Sequence, residues 1–93
     1  MNGREKPRMA EPILENGTDN TLDRITKDRR VRVLSIEGGW GARHRLNRLG
    51  IHPGDTILVK RGGIMGGPIL IQIHGMEVAL GRGMARKVVV TDA

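Results

Sequence analysis

Residues 45–61, RLNRLGIHPGDTILVKR, decide the fold because they contain a helix end, a turn and a strand in immediate succession. Leu46 and Leu49 are three positions apart, and this spacing predicts a short helix with a narrow apolar stripe on the core. Gly50 follows where a helix commonly ends in the left-handed conformation, and Ile51 where the apolar contact back to Leu46 falls. These four residues are therefore predicted to have structural roles.

Pro53-Gly54 is predicted to form the turn that leads from the helix into a strand. Proline fixes φ at the first central position of a type II turn, and glycine accepts the positive φ of the second. The run TILVKR at 56–61 then alternates, which is typical of a strand with one buried face. Ile57 and Val59 are expected to face inward.

Four further runs have strand character: VRVLSI at 31–36, ILIQI at 69–73, MEVAL at 76–80 and KVVVT at 87–91. The first has apolar residues on both faces, which either a bulge or burial on both sides would explain. Gly75 favours a two-residue hairpin turn, and Met76, Val78 and Leu80 are expected to point inward after it. About five short strands with one short helix predict an all-β fold, a small and strongly bent barrel.

The rest of the chain divides into a tail, two glycine-rich loops and a lead-in. Residues 1–20 are polar, and we expect a flexible N-terminal tail followed by one domain over 21–93. Leu22 and Ile25 are expected to dock a lead-in turn on the core. Residues 37–41 contain three glycines and predict a loop, as does the GGIMGG run at 62–67.

Composition and charge limit the function. The 93 residues include no cysteine and a single aromatic, a tryptophan, and the net charge is +6. Residues 31–93 hold nine Lys/Arg and four Asp/Glu, so +5 of that charge belongs to the predicted domain. A basic surface attracts nucleic acid, anionic lipid or an acidic protein face. No apolar run approaches the roughly 20 residues of a membrane span, so we expect a cytoplasmic protein without membrane insertion.

No catalytic or cofactor-binding constellation emerges from the sequence. The three histidines, His44, His52 and His74, share no metal-ligand spacing, and the domain's acids are scattered. Gly81-Arg82-Gly83 does not complete a dinucleotide-binding motif. We therefore predict no enzyme, no metal site and no cofactor.

A partner-binding surface is the favoured functional hypothesis. Trp40, alone among glycines, is either a cap over the barrel or an exposed anchor for a protein, a role in which tryptophan is enriched. The predicted contact residues are Trp40, Arg43, His44, Arg48, Arg61 and Met65. The alternative is a small basic nucleic-acid-binding protein, which the near absence of aromatic residues disfavours. Self-association is left open.

The order of these motifs resembles the ferrous iron transport protein A (FeoA) family. The resemblance rests on R-L-x-x-L-G-I-x-P-G-D at 45–55, G-P-I-L-I-Q-I at 67–73, V-A-L at 78–80, and an alanine before the last strand. It implies an SH3-like barrel with a short inserted helix. It also implies a cytosolic protein, not known as an enzyme, that docks on the cytosolic GTPase region of the FeoB-type iron transporter and modulates it.

Two positions depart from the pattern of that family. Lys27-Asp28 stands where members usually have a Pro-Gly turn, and Gly81 follows V-A-L where arginine is frequent. The resemblance therefore leaves open the first turn and any contact made through position 81. Related barrels close the iron- and manganese-dependent repressors, but no helix-turn-helix precedes the barrel here.

Overall fold

A computed structural model of the chain describes residues 19–62 and 66–93. Most of the predicted tail, and Met65 in the second glycine-rich loop, lie outside the described residues. The elements are β1 (Asn20–Thr21), a 3₁₀ turn (Leu22–Arg24), β2 (Arg30–Ile36), α1 (Trp40–Arg48), β3 (Thr56–Arg61), β4 (Ile69–Ile73), β5 (Met76–Leu80), α2 (Arg82–Ala85) and β6 (Val88–Asp92).

Within the described residues, six antiparallel strands form one sheet in the order β1-β6-β2-β3-β4-β5. The all-β prediction with a small helical insertion is therefore confirmed, with one strand more than expected. That extra strand is β1, in which Asn20 pairs with Val90 and Thr21 with Val89. Asn20 is the last residue of the predicted tail, and the structure places it in this strand.

The core is a single aliphatic cluster, and the described residues contribute no buried polar or charged side chain to it. The alternation predicted for β3 is confirmed, since Ile57 and Val59 are buried, and β4 alternates in the same way with Ile69, Ile71 and Ile73 buried. Leu22 is also buried, and Ile25 packs partly against the same cluster, as the predicted lead-in turn requires. Hydrophobic burial of these side chains is the main force that holds the barrel together.

Of the two explanations for the mixed faces of β2, the structure shows a bulge, because the pairing with β6 shifts register between Val33 and Ser35. A bulge adds one residue to one strand and so changes which face the following side chains occupy. Here it places Ile36 in the core together with Val31 and Val33, and it leaves Leu34 exposed.

The end of α1 forms the predicted Schellman motif. The Gly50 N–H donates to the Asn47 carbonyl at 2.9 Å, and the Ile51 N–H donates to the Leu46 carbonyl at 3.0 Å. Gly50 has φ of +88°, the left-handed conformation that this motif needs. Leu46 and Ile51 are both fully buried, so the end of the helix is fixed by hydrogen bonds and by packing.

The predicted turns that flank β3 and β4 are also present. In the Pro53-Gly54 turn, the Asp55 N–H donates to the His52 carbonyl at 3.0 Å, and Gly54 has φ of +96°. These features fit the predicted type II turn. In the β4–β5 hairpin, both turn residues, including Gly75, have positive φ, as a type I′ turn requires.

The Lys27-Asp28 turn retains its shape without the Pro-Gly pair. The Arg29 N–H donates to the Thr26 carbonyl at 3.4 Å, and Asp28 has φ of +69°. Aspartate tolerates the left-handed region better than most residues, so it can occupy the position that glycine usually takes.

Two predicted core residues prove to be exposed. Leu49 is 37% exposed, because the chain turns inward only at Ile51 and Leu46 alone of the helix residues is buried. Met76 is 60% exposed, because it opens β5, the edge strand, and has a paired strand on one side only. The apolar stripe of the helix is therefore narrower than its spacing predicts.

Candidate functional site

The exposed side of α1 carries three of the predicted contact residues, Trp40, His44 and Arg48, in one row. The helix begins at Trp40, so the predicted loop over 37–41 is shorter than expected, and the Arg43 N–H closes the first turn on the Gly39 carbonyl at 3.2 Å. Trp40, His44 and Arg48 are consequently spaced four residues apart and lie on one side of the helix.

Trp40 does not cap the barrel, since 77% of it is accessible. Its ring stacks on the His44 imidazole with centroids 4.8 Å apart and planes 8° apart. The stack fixes the position of a large apolar surface at the start of the row. Tryptophan loses little conformational freedom when such a surface binds a protein, because it has only two side-chain torsions.

Positive charge surrounds this stack. The sequence of α1, WGARHRLNR, has three arginines, one histidine and no acid. A shallow groove runs between the row of Trp40 and the adjacent row, and its lining residues are Gly41, His44, Arg45, Arg48 and Leu49. These residues together with Trp40 are called the helix face below. Arg45 and Arg48 lie in the last turn, where cations interact favourably with the helix dipole.

Three other predicted contact residues are not part of the helix face. Arg43 points to the flank of α1, where it lines a separate recess with Ser35, Asn47 and Pro53. Arg61 ends β3 at the far end from Thr56, while the end of α1 lies near the Thr56 end. Met65 is outside the described residues, so nothing places it at this surface.

A polar cluster that the sequence did not reveal lies beside the end of α1. The Asp55 carboxylate accepts hydrogen bonds from the His52 backbone N–H at 2.8 Å and from the His52 ring at 3.3 Å. Its other oxygen lies 3.3 Å from Nε2 of His74, and the His74 ring also borders Gly50. The cluster thus joins the β4–β5 hairpin to the turn between α1 and β3.

The cluster changes the acidity of Asp55. Burial alone would raise the pKa of this carboxyl, whose side chain is 20% exposed. The hydrogen bonds from His52 and the charges of both imidazoles act in the opposite direction, and the resulting pKa lies below the ordinary value. Asp55 is therefore held in its ionised form.

The two imidazoles approach different oxygens of Asp55, so their nitrogens do not converge on one point. In the part of the chain that the structure describes, no group of three His, Cys, Asp or Glu side chains could hold a metal ion. The cluster is best described as a hydrogen-bonded link between two turns.

The second position that departs from the FeoA pattern lies in an open cleft. Gly81 caps the N-terminus of α2, and a Cβ built on it would meet no heavy atom within 4 Å. The other residues that line the cleft include Glu37, Gly38, Met84 and Lys87.

None of the helices in the described ranges is long and apolar enough to cross a membrane.

Comparison with known proteins gives a consistent result. The model of the FeoA domain family matches residues 20–92. A protein of Methanocaldococcus jannaschii, provisionally named Fe(2+) transport protein A, is 41% identical over 63 residues, which cover 68% of this chain and 74% of that protein.

Solved structures agree with the family match. The crystal structure of an iron uptake regulatory protein (FeoA) superposes with a TM-score of 0.75 at 33% identity, covering 82% of this chain and 99% of the other. A manganese-dependent transcriptional repressor has the same TM-score of 0.75 at 18% identity, covering 81% of this chain and 42% of its own. The repressor shares the fold alone, and the SH3-like barrel of the FeoA proteins is the fold of this chain.

Proposed function

Because the chain belongs to the FeoA domain family, we propose that it is a cytoplasmic accessory protein of Fe²⁺ transport that docks on the GTPase region of a FeoB-type transporter and modulates it. The relatives support the coarser part of this proposal, since their names link them to Fe²⁺ transport or iron uptake. Docking on the GTPase region is the finer part, and it rests on the helix face.

The observation that carries the docking proposal is the exposed Trp40–His44 stack on α1. A tryptophan with 77% of its surface in water offers a large apolar area that a partner can cover, and tryptophan is enriched among the residues that dominate binding energy. Covering a side chain of this size removes on the order of 150 Å² from water, which corresponds to about 4 kcal/mol before binding costs are subtracted.

The surroundings of Trp40 favour binding over catalysis. A rigid barrel presents the helix through the buried Leu46 and the Schellman motif, so the helix face is already organised before any partner arrives. Preorganisation of this kind lowers the entropic cost of association. We therefore infer that the protein acts as a binding module and is not an enzyme.

The proposal is tested by titration calorimetry of the full chain against the purified cytosolic GTPase region. We expect Trp40→Ala to weaken binding by about tenfold or more, as for a central hot-spot residue. Met76→Ala is the matched control, because Met76 is also exposed and apolar but lies on the edge strand.

Wild-type protein that does not bind the GTPase region would show that the proposed partner is wrong. Equal binding by wild type and Trp40→Ala would instead show that the partner uses another surface. GTP hydrolysis by the same region, measured with and without the full chain, tests whether docking modulates the transporter.

A further inference from the structure

We infer that the helix face recognises an acidic segment of its partner, in which an apolar side chain is flanked by carboxylates. This inference deepens the docking function proposed above and rests on it. It concerns the chemistry of the partner's contact segment, which neither the family nor its relatives' names specify.

The first argument is the charge balance around α1. Several acids of the described domain have basic or polar partners of their own: Asp23 pairs with Arg86, Asp55 with the two histidines, and Asp92 with Arg29. The Glu37 carboxylate lies 3.5 Å from the Ser35 hydroxyl. Over residues 19–62 and 66–93, no ion pair includes an arginine of α1.

Because Arg45 and Arg48 form no ion pair within the described residues, both are available to bind an external anion. Guanidinium groups form two parallel hydrogen bonds with a carboxylate, and such pairs are favoured at protein interfaces. Arg48 and Arg45 belong to adjacent rows of the helix and both line the groove. Carboxylates on a partner segment could therefore bind one arginine on each side.

The second argument is the apolar part of the same groove. Gly41 has no side chain, and a Cβ built on it would meet no heavy atom within 4 Å, so one end of the groove is open. Leu49 is 37% exposed at the other end. Since eight residues of helix place Gly41 and Leu49 about 12 Å apart, an apolar partner side chain can lie against either of them while its acidic neighbours reach the arginines.

The arrangement suits an acidic protein segment better than nucleic acid. Proteins that bind single strands use several aromatic platforms along a basic track. Here the sequence has one tryptophan, and one face of its ring is already covered by His44. The arginines of α1 also point to different sides, since Arg43 lines a recess separate from that of Arg45 and Arg48.

Trp40 provides the readout, because it is the only tryptophan in the chain and it lies on the helix face. The probe is a synthetic peptide without aromatic residues, rich in Glu and Asp around a central Leu. Its matched control has Gln and Asn in place of the acids. We expect the fluorescence of the full chain to change with the acidic peptide, and the control peptide to bind at least about tenfold more weakly.

Charge reversal at the groove gives the second readout. The double variant Arg45→Glu/Arg48→Glu should bind the acidic peptide at least about tenfold more weakly than wild type. Lys27→Glu is the matched control, because Lys27 is exposed in the turn that bonds to Val59, away from α1. Raising the salt from about 50 to about 300 mM should weaken wild-type binding and leave the double variant almost unaffected.

Parallel titrations with the cytosolic GTPase region separate the two proposals. If that region binds but neither salt nor the double variant alters its affinity, the acidic-segment inference is overturned while docking stands. If the acidic peptide binds and the GTPase region does not, the docking function fails while the inference stands. Failure of the peptide to bind would overturn the inference, as would tighter binding of a DNA duplex.

Discussion

Truncating Leu46 and Leu49 to alanine tests whether both side chains are buried, as their spacing predicts, or only Leu46, as the structure shows. The sequence periodicity predicts that Leu46 and Leu49 are buried to the same extent in one apolar stripe. In the structure Leu46 is fully buried and Leu49 is 37% exposed. Leu46→Ala and Leu49→Ala remove the same three carbons, the first inside α1 and the second at its C-cap. Leucine and alanine are both strong helix formers, so helix propensity contributes little to either cost.

The expected magnitudes follow from burial. Three fully buried carbons at about 0.8 kcal/mol each give about 2.4 kcal/mol for Leu46, and the cavity left behind raises the total to about 3–5 kcal/mol. Leu49 is roughly two-thirds buried and its site opens to solvent, so its truncation should cost about 1.5 kcal/mol without a cavity. The two free energies of unfolding should therefore differ by about 2 kcal/mol.

Urea denaturation followed by far-UV circular dichroism is the suitable assay. Trp40 is already 77% exposed in the folded protein, so its fluorescence would report unfolding poorly. For a domain of this size, each kcal/mol also corresponds to about 4–8 °C in Tm, so thermal melts give an independent value. An unchanged m-value would confirm that both variants unfold from the same compact state.

Equal costs for the two truncations would refute the reasoning. That result would mean that Leu46 and Leu49 contribute equally to the packing of α1 on the core and that Leu49 is buried in solution. A cost for Leu46→Ala below about 1.5 kcal/mol would likewise show that Leu46 does not fix α1 to the core.

The remaining predictions concern the turn cluster and two glycines. Because the pKa of Asp55 is lower folded than unfolded, its contribution to stability is present above the unfolded value and is lost as pH falls through the folded value. Asp55→Asn should therefore lower stability at pH 7 and flatten its decline below about pH 4, as urea melts at several pH values would show. Gly50→Ala should cost about 1 kcal/mol, because φ is +88° and the added Cβ meets only the His74 ring at 3.5 Å. Gly41→Ala, inside α1 with free space, should instead stabilise the protein by up to about 1 kcal/mol, and a stabilising Gly50→Ala would contradict the assigned cap.

The candidate site was predictable only in part. Trp40, His44 and Arg48 could be proposed because tryptophan and arginine are common at interfaces, but their common row depended on where the helix begins. Since three glycines lie within residues 37–41, local propensity argued for a loop there, and the structure places Trp40 and Gly41 in the helix nonetheless. Tertiary packing of a short helix routinely overrides propensity in this way.

The sequence by itself determined the features that depend on residues within about five positions of one another. These are the alternation of β3, the Pro53-Gly54 turn and the hairpin at Gly75, together with the Schellman end of α1. Each depends on backbone sterics or on hydrogen bonds within one turn, and such interactions leave a readable local pattern.

Only the tertiary structure decided which side chains face solvent and which distant residues meet. His74 contacts Asp55 although 19 positions separate them in the sequence. Arg61, in contrast, lies a strand's length away from α1, although β3 is the next strand after that helix. Likewise, Leu46 is buried and Leu49 is exposed, although the apolar spacing predicts that both face the core. The physical reason is that burial and ion pairing depend on neighbours supplied by other elements, whose positions are fixed only when the barrel closes around its aliphatic core.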